Sequence, residues 1–164
     1  MKFDNIIIGG GLSGLVCGLR LQKAGKKCAI VSAGQNAMHF FSGGFGLLSK
    51  LEDGTPVEEP VSYTHLSPEH PYVKIGAEKV AKYAGDAKEL LTVCGLPLVG
   101  DASKNGYVMS ATGTLKPAWL AIGDSTFLKE KDEKIGTKAL IVNIEGFLDF
   151  NTSLIAAEFE KRGV

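Results

Sequence analysis

A glycine-rich segment near the amino terminus, Gly9-Gly10-Gly11-Leu12-Ser13-Gly14, has the spacing of a turn that binds phosphate. In such a turn Gly9 permits a tight bend, Gly11 lets the backbone approach a phosphate, and Gly14 lets a helix pack closely on a strand. A helix beginning at Leu12 would direct its unpaired N–H groups and its positive dipole end towards that phosphate. The chemistry that this spacing predicts is anion binding by backbone N–H groups, without a basic side chain.

The segments on either side predict that this turn belongs to a βαβ unit. Residues 3–8 form an apolar run that predicts a buried strand, residues 12–24 predict a helix, and residues 27–31 predict a second strand. A glycine motif in this setting is much more specific than the same motif alone. We therefore predict that Leu12 and Ser13, in the first turn of the helix, contact a cofactor together with the glycines.

The end of the second predicted strand lacks the acidic residue that commonly holds an adenosine ribose. Ser32 stands there, followed by Ala33 and Gly34. A charge-assisted hydrogen bond is worth about 1.5–3 kcal/mol, so its absence disfavours NAD and, less strongly, FAD, whereas FMN has no adenosine to hold. No Arg or Lys adjoins Ser32 to bind the 2′-phosphate of NADP. A flavin is therefore the expected cofactor, FMN first with FAD as the alternative, and Ser32 is a candidate contact.

A second glycine-rich segment, residues 40–48 (FFSGGFGLL), predicts a loop against a ligand or the core. His39 immediately precedes it and is a candidate flavin contact or proton relay, although a structural histidine is an equal alternative. Ser42, Gly43 and Gly44 would let backbone N–H groups approach the N5 or pyrimidine edge of a flavin, or would merely turn the chain. We favour cofactor contact.

The residue types do not identify a catalytic base or a metal site. Lys116 could meet a substrate phosphate, but an isolated surface lysine is more usual. His65 and His70 have no third ligand at metal spacing, so no metal is expected.

Composition restricts the class of protein. The 164 residues are 45% hydrophobic and 22% charged, and 18 basic residues balance 18 acidic ones. No basic cluster predicts nucleic-acid binding, and no segment reaches the roughly 20 apolar residues that span a bilayer. Three cysteines without CxxC spacing predict reduced thiols, with Cys17 and Cys28 buried. These features favour a cytoplasmic protein.

The remaining pattern completes an α/β fold of the Rossmann-like, FAD/NAD(P)-binding type, a parallel sheet flanked by helices. Residues 76–95 predict an amphipathic helix, residues 96–99 and 107–109 a small antiparallel pair, residues 138–144 a further strand, and residues 151–161 a helix capped by Asp149 or Asn151. We assign residues 1–48 and 138–164 to a single nucleotide-binding core and residues 49–137 to an inserted irregular or α+β segment. The absence of a strand after the last helix indicates an incomplete piece of a longer chain.

The whole chain also resembles a known family. Residues 3–57, FDNIIIGGGLSGLVCGLRLQKAGKKCAIVSAGQNAMHFFSGGFGLLSKLEDGTPV, are similar to the start of the B subunits of anaerobic glycerol-3-phosphate dehydrogenases. The resemblance continues through four further segments: His70-Pro71-Tyr72, Gly113-Thr114-Leu115-Lys116, Trp119-Leu120 and Gly146-Phe147-Leu148-Asp149-Phe150.

This resemblance implies an FMN-associated flavoprotein subunit that joins an FAD-bearing A subunit to oxidise sn-glycerol 3-phosphate to dihydroxyacetone phosphate. In the family, electrons then pass to a membrane quinone through an iron–sulfur C subunit that anchors the complex. The chain would thus lie peripherally at the inner face of the cytoplasmic membrane through a partner, without a span of its own. Two alternatives stay open: an NAD(P)-linked reductase of the same βαβ type, and a non-catalytic scaffold.

Overall fold

The structure is a computed structural model that describes residues 1–61 and 66–164. The chain divides into two compact units, Met1–Ser42 and Gly43–Val164. The first unit is built on a parallel strand pair, and the second on small antiparallel sheets. A mixed α/β architecture is therefore confirmed, whereas the wider Rossmann-like sheet and the assignment of residues 49–137 as an insertion stay predictions.

The first unit is a βαβ unit followed by a short 3-10 helix. Strand β1 (Asn5–Ile8), helix α1 (Leu12–Lys23) and strand β2 (Cys28–Val31) lie within two residues of their predicted bounds. The strands are parallel, with Asn5 opposite Cys28 and Ile8 opposite Val31. A 3-10 helix occupies Ala37–Phe40. Thus the predicted strand–turn–helix–strand order is confirmed.

Helix α1 packs on one face of this strand pair through a small residue. A Cβ added to Gly18 would lie 3.2 Å from Ile30 Cδ1 and 3.3 Å from Ile7 Cδ1, so only glycine fits comfortably. On the other face Ile6 and Ile8 are 66% and 90% exposed. The prediction of a fully buried first strand is therefore wrong for these two side chains, because a single helix covers only one face of a strand pair.

The cysteines are less buried than their apolar neighbours predict. Cys17 is exposed, Cys28 is half-buried, and both are free thiols, as is the exposed Cys94. The prediction that Cys17 is buried is wrong, because α1 meets the sheet through Gly18 and directs Cys17 outward.

The second unit contains three helices and six short strands among its described residues. They are β3 (Gly44–Phe45), α2 (Pro71–Ile75), α3 (Ala77–Val93), β4 (Leu98–Gly100), β5 (Gly106–Met109), β6 (Leu115–Ala118), β7 (Leu120–Ile122), β8 (Phe127–Leu128) and α4 (Thr152–Glu160). The strands form two antiparallel sheets with the orders β3-β7-β4 and β6-β5-β8. The predicted helices at 76–95 and 151–161 are confirmed, and Asn151 caps α4 by accepting from the Leu154 N–H.

Trp119 separates β6 from β7 and belongs to the core of the second unit. It is 4% exposed and clusters with the fully buried Leu120 and with Ala84 of α3. A second cluster contains Val108 and Ala118. Trp119 therefore contributes to the core of the second unit.

Two predicted strand assignments need correction. Strands β4 and β5 exist but do not pair with each other: β4 pairs with β7, whereas β5 lies between β6 and β8. Residues 138–144 form no strand. Leu140, Val142 and Ile144 are 88%, 70% and 78% exposed. Their alternation suits a strand, but a strand also needs a neighbour to receive its backbone hydrogen bonds, and no described strand pairs with this segment.

Candidate functional site

The glycine turn continues directly from the strand pair of the first unit. The Gly9 N–H donates to the Val31 carbonyl oxygen at 2.8 Å, which extends the β1–β2 pairing into the turn. Gly9 has φ of 109°, a conformation that residues with a Cβ rarely adopt. The predicted tight bend at Gly9 is therefore present.

Gly14 brings the first turn of α1 against this bend. A Cβ on Gly14 would overlap the Gly9 carbonyl oxygen, because the distance between them would be well under 3.0 Å, which real Cβ atoms essentially never show. The same Cβ would lie 3.4 Å from Ile7 Cγ2. The need for glycine here is thus a packing need. Helix and strand could not approach this closely with any other residue at position 14.

Gly11 forms the open side of the turn. It is the N-cap of α1 with φ of −73° and ψ of 175°, angles open to any residue, and no atom lies within 4 Å of its added Cβ position. The Gly11 N–H donates to no acceptor in the first unit. Leu12 and Ser13 follow it on the exposed first helical turn.

The start of α1 is also electrostatically suited to an anion. No side chain caps the helix, and its first turn carries no acidic residue. The unit's single acidic residue, Asp4, lies at the other end of β1, where its carboxylate accepts from the Lys27 N–H at 2.8 Å. The helix dipole and the unpaired N–H groups at the turn therefore meet no negative side chain.

Two residues from the segment after β2 close the other side of the turn. Gly10 is buried, and its added Cβ would lie 3.2 Å from Ser32 Oγ and from Asn36 Nδ2. Asn36 Nδ2 donates to the Gly10 carbonyl oxygen at 2.7 Å, and Asn36 Oδ1 accepts from the Met38 N–H at 2.9 Å. Asn36 was not among the residues predicted from the sequence. Its one signal was that Asn is a favoured N-cap, here of the 3-10 helix.

Ser32 adjoins the turn, as predicted, and is exposed. Its hydroxyl donates to the Gly34 carbonyl oxygen at 3.3 Å. Because the hydroxyl is at the surface, it can exchange this long bond for one to a ligand. It supplies no charge, so any ribose contact here would be weaker than one to a carboxylate.

The four residues predicted to contact the flavin ring lie in two different units of the chain. His39 is exposed on the 3-10 helix, and Ser42 is the exposed last residue of the first unit. Gly43 and Gly44 open the second unit, where the Ile122 N–H donates to the Gly43 carbonyl oxygen at 2.9 Å. The flavin contacts of all four residues stay predictions.

Packing in the second unit already explains both of those glycines. An added Cβ on Gly43, which has φ of 84°, would overlap Ser125 Oγ, and one on Gly44 would lie 3.1 Å from Val108 Cγ1. These contacts support the alternative interpretation, in which Gly43 and Gly44 are needed for the turn and the packing of the chain.

A cavity of about 1030 Å³ lies in the first unit at the end remote from the glycine turn. It is lined by the residues that precede β1, by α1 and by β2, including Phe3, Leu15 and Ile30. Its lining is mostly apolar and also includes Lys26 and Lys27. It lies away from the glycine turn and shares no residue with it.

Other candidate groups from the sequence do not converge on a site. Lys116 is exposed on β6, opposite Val108. His70 accepts from the Tyr72 N–H through Nδ1 and caps α2, whereas His65 lies outside the described residues. Within residues 1–61 and 66–164 there is no group of three His, Cys, Asp or Glu side chains that could hold a metal. Among those same residues, no helix is both long and apolar enough to cross a bilayer.

The chain is similar in sequence to several known proteins. The chain is 47% identical over its full length to the B subunit of the anaerobic glycerol-3-phosphate dehydrogenase of Yersinia enterocolitica, and covers 40% of that protein. It is 42% identical over its full length to the protein of the same name from Pectobacterium atrosepticum, again covering 40%. With the Pasteurella multocida protein of that name it shares 37% identity over 95% of this chain and 37% of the relative.

The chain thus spans about 40% of the length of these curated relatives and matches their amino-terminal part. No solved structure matches it. The resemblance to B subunits found from the sequence is confirmed, and an FAD-binding family model favours FAD over the FMN that was expected first. Since that model, described as an FAD binding domain, matches residues 4–163 and the glycine turn leaves room for a phosphate, this chain belongs to the FAD binding domain family.

Proposed function

We propose that this chain is part of the flavoprotein B subunit of an anaerobic glycerol-3-phosphate dehydrogenase. The proposed reaction is oxidation of sn-glycerol 3-phosphate to dihydroxyacetone phosphate, with the electrons passed to a quinone. The proposed partners are an FAD-bearing A subunit and an iron–sulfur C subunit that holds the complex at the cytoplasmic face of the membrane. The names of the relatives, as B subunits of that dehydrogenase, support this assignment.

The observation that carries the cofactor part of the proposal is the open face of the glycine turn. Among the described residues the N–H of Gly11 has no acceptor and no atom lies near its Cβ position, and the first turn of α1 holds no acidic residue. Backbone N–H groups at a helix amino terminus bind phosphate through both hydrogen bonding and the helix dipole. The N–H groups of Gly11, Leu12 and Ser13 would hold the phosphate or pyrophosphate of a flavin nucleotide.

We propose FAD as that nucleotide, because the family model is one for FAD binding. Ser32 then stands where the adenosine ribose would be held and offers a neutral hydroxyl instead of a carboxylate. We infer weaker retention of FAD than in relatives of the fold that carry an acidic residue there.

A bound flavin would supply the hydride acceptor that alcohol oxidation requires. The residues of the first unit would position that acceptor by its phosphate. Exposed His39 is three residues beyond Asn36 and is the candidate for contact with the ring or for relay of a proton.

The test uses the full-length protein purified with and without its partner subunits. Flavin released on denaturation is identified by chromatography, and glycerol 3-phosphate-dependent reduction of a soluble quinone analogue is measured on the assembled complex. We expect about one FAD released per full-length chain and quinone reduction that depends on glycerol 3-phosphate.

Each alternative has a distinct outcome in the same experiment. FMN in place of FAD would overturn the cofactor choice and keep the flavoprotein. Absence of any flavin from the full-length chain, even in the complex, would favour the non-catalytic scaffold. Binding of a nicotinamide cofactor in its place would favour the NAD(P)-linked reductase.

A further inference from the structure

We propose that Asn36 is a positioning residue for the flavin phosphate: its side-chain amide fixes the orientation of the Gly10–Gly11 peptide so that the Gly11 N–H faces the phosphate. This inference rests on the proposed flavin function and adds a residue to it. The contact that carries it is the 2.7 Å hydrogen bond from Asn36 Nδ2 to the Gly10 carbonyl oxygen.

The geometry of a peptide bond links that contact to the open face of the turn. The carbonyl of Gly10 and the N–H of Gly11 belong to one planar group, and the chain has no cis peptide bond among its described residues. In a trans peptide the C=O and the N–H point in opposite directions. When Asn36 holds the Gly10 carbonyl, the Gly11 N–H must therefore point away from Asn36, where no acceptor of the first unit meets it.

This peptide needs an external restraint because of its composition. Two successive glycines have the widest choice of backbone angles of any pair, so the peptide between them can rotate at little cost. Neither Gly9 nor Gly11 has a neighbouring atom within 4 Å of its Cβ position. Ser32 and Asn36 lie beside Gly10, where an added Cβ would be 3.2 Å from each of them, and of these two residues only Asn36 makes a hydrogen bond to Gly10.

The same side chain connects the turn to the segment that carries His39. Asn36 Oδ1 accepts from the Met38 N–H at 2.9 Å and caps the 3-10 helix Ala37–Phe40. An amide has one acceptor and two donor hydrogens, which lets it bind an acceptor and a donor at once. Replacement of Asn36 can therefore be designed to remove one contact and keep the other.

Two variants separate these contacts. Asn36→Ser keeps a short side-chain oxygen that can cap the 3-10 helix, but it cannot reach Gly10. Asn36→Asp keeps the shape and the capping oxygen, yet it places a carboxylate oxygen against the Gly10 carbonyl, which repels it and turns the peptide. We expect about a tenfold loss of FAD affinity for Asn36→Ser and a larger loss for Asn36→Asp.

Asn143 offers a matched control within the same chain. Its Nδ2 donates to the carbonyl oxygens of Phe147 and Phe150, and its Oδ1 accepts from the Ile144 N–H. It thus makes the same kinds of bond, but in the second unit and outside the glycine turn. Asn143→Ser and Asn143→Asp should leave FAD affinity unchanged.

The experiment measures binding by quenching of flavin fluorescence on the full-length apoprotein, with FAD and with riboflavin, which lacks a phosphate. Thermal unfolding of each apoprotein monitors the fold. If Asn36 acts through the phosphate turn, Asn36→Ser weakens FAD binding and leaves riboflavin binding at the wild-type level. A purely structural role would weaken both ligands together.

Two results would overturn the inference while leaving the flavin function intact: unchanged FAD affinity in a folded Asn36→Ser protein, or equal losses for FAD and riboflavin. Failure of the wild-type protein to bind any flavin would instead reject the proposed function itself.

Discussion

Gly14 and Gly9 approach each other so closely that a Cβ on Gly14 would overlap the Gly9 carbonyl oxygen, whereas the Cβ position of Gly11 between them is empty. The three glycines of one motif thus serve different purposes. Gly14 is required by packing inside the protein, and Gly11 leaves room for something outside it.

This difference predicts opposite outcomes for two alanine substitutions. Gly14→Ala should destabilise the fold by about 1–3 kcal/mol, because the new methyl group forces strand and helix apart. Gly11→Ala should change stability by less than about 0.5 kcal/mol, since its backbone angles suit alanine, but it should lower FAD affinity. Urea unfolding and flavin titration measure the two effects. Normal FAD affinity in a folded Gly11→Ala protein would argue against binding of the flavin phosphate next to Gly11.

Asn105 is a buried amide that links three segments of the second unit. It is 6% exposed, and its Nδ2 donates to the carbonyl oxygens of Leu48 and Val57, both at 2.8 Å. Asn105→Ala would leave the buried Val57 oxygen and the half-buried Leu48 oxygen without their donor, and the loss is expected to be about 1–3 kcal/mol, the cost of one unpaired buried group. Chemical denaturation should show a loss in that range, and exposed Asn143→Ala should show a much smaller one. A loss below about 0.5 kcal/mol for Asn105→Ala would contradict the assigned bonds.

The hydrogen bonds of Asp101 are expected to make the free energy of unfolding depend on pH in the acid range. The hydroxyl and the N–H of Ser103 both donate to its carboxylate, the latter at 2.8 Å, and these bonds lower the pKa of Asp101 below its ordinary 3.8. The folded pKa is depressed, so the stabilisation is present above pH 3.8 and is lost as pH falls through the lowered value.

The Asp101→Asn variant isolates this effect from the other carboxylates. Its free energy of unfolding should be lower than that of the wild type near neutral pH, and the two should converge in acid. NMR titration of the Asp101 carboxyl gives its pKa directly. A value at or above 3.8 in the folded protein would refute the assignment.

Residues 138–144 predict a distinct pattern of amide exchange. The segment forms no strand and its apolar side chains are exposed, whereas Val108 of β5 pairs on both sides, with Lys116 and Phe127. Amides of residues 140–142 should therefore exchange much faster than that of Val108, because they lack ladder partners. Comparable protection in the full-length protein would show that this segment pairs there, as its alternating sequence predicts.

Much of the first unit and its turn could be predicted from the sequence. Local rules suffice there: an apolar run, a glycine turn and an amphipathic helix follow one another, and each depends on neighbours only a few residues away. The positions of α1, β2 and the glycine turn were correct for this reason. Helix α3 and the Asn151 cap of α4 are local features too, and both were predicted.

Tertiary structure alone decided the contacts between distant segments. Asn36 and Gly10 are 26 residues apart, and Gly43 and Ser125 lie much further apart along the chain, so no local pattern could pair them. The local sequence did not determine the strand pairing either. β4 and β5 were predicted to pair with each other, but β4 pairs with β7 and β5 pairs with β6. The sequence by itself determined which segments can form helices, strands and turns. Which side chains meet was decided by packing and by hydrogen bonds that form only once those segments come together.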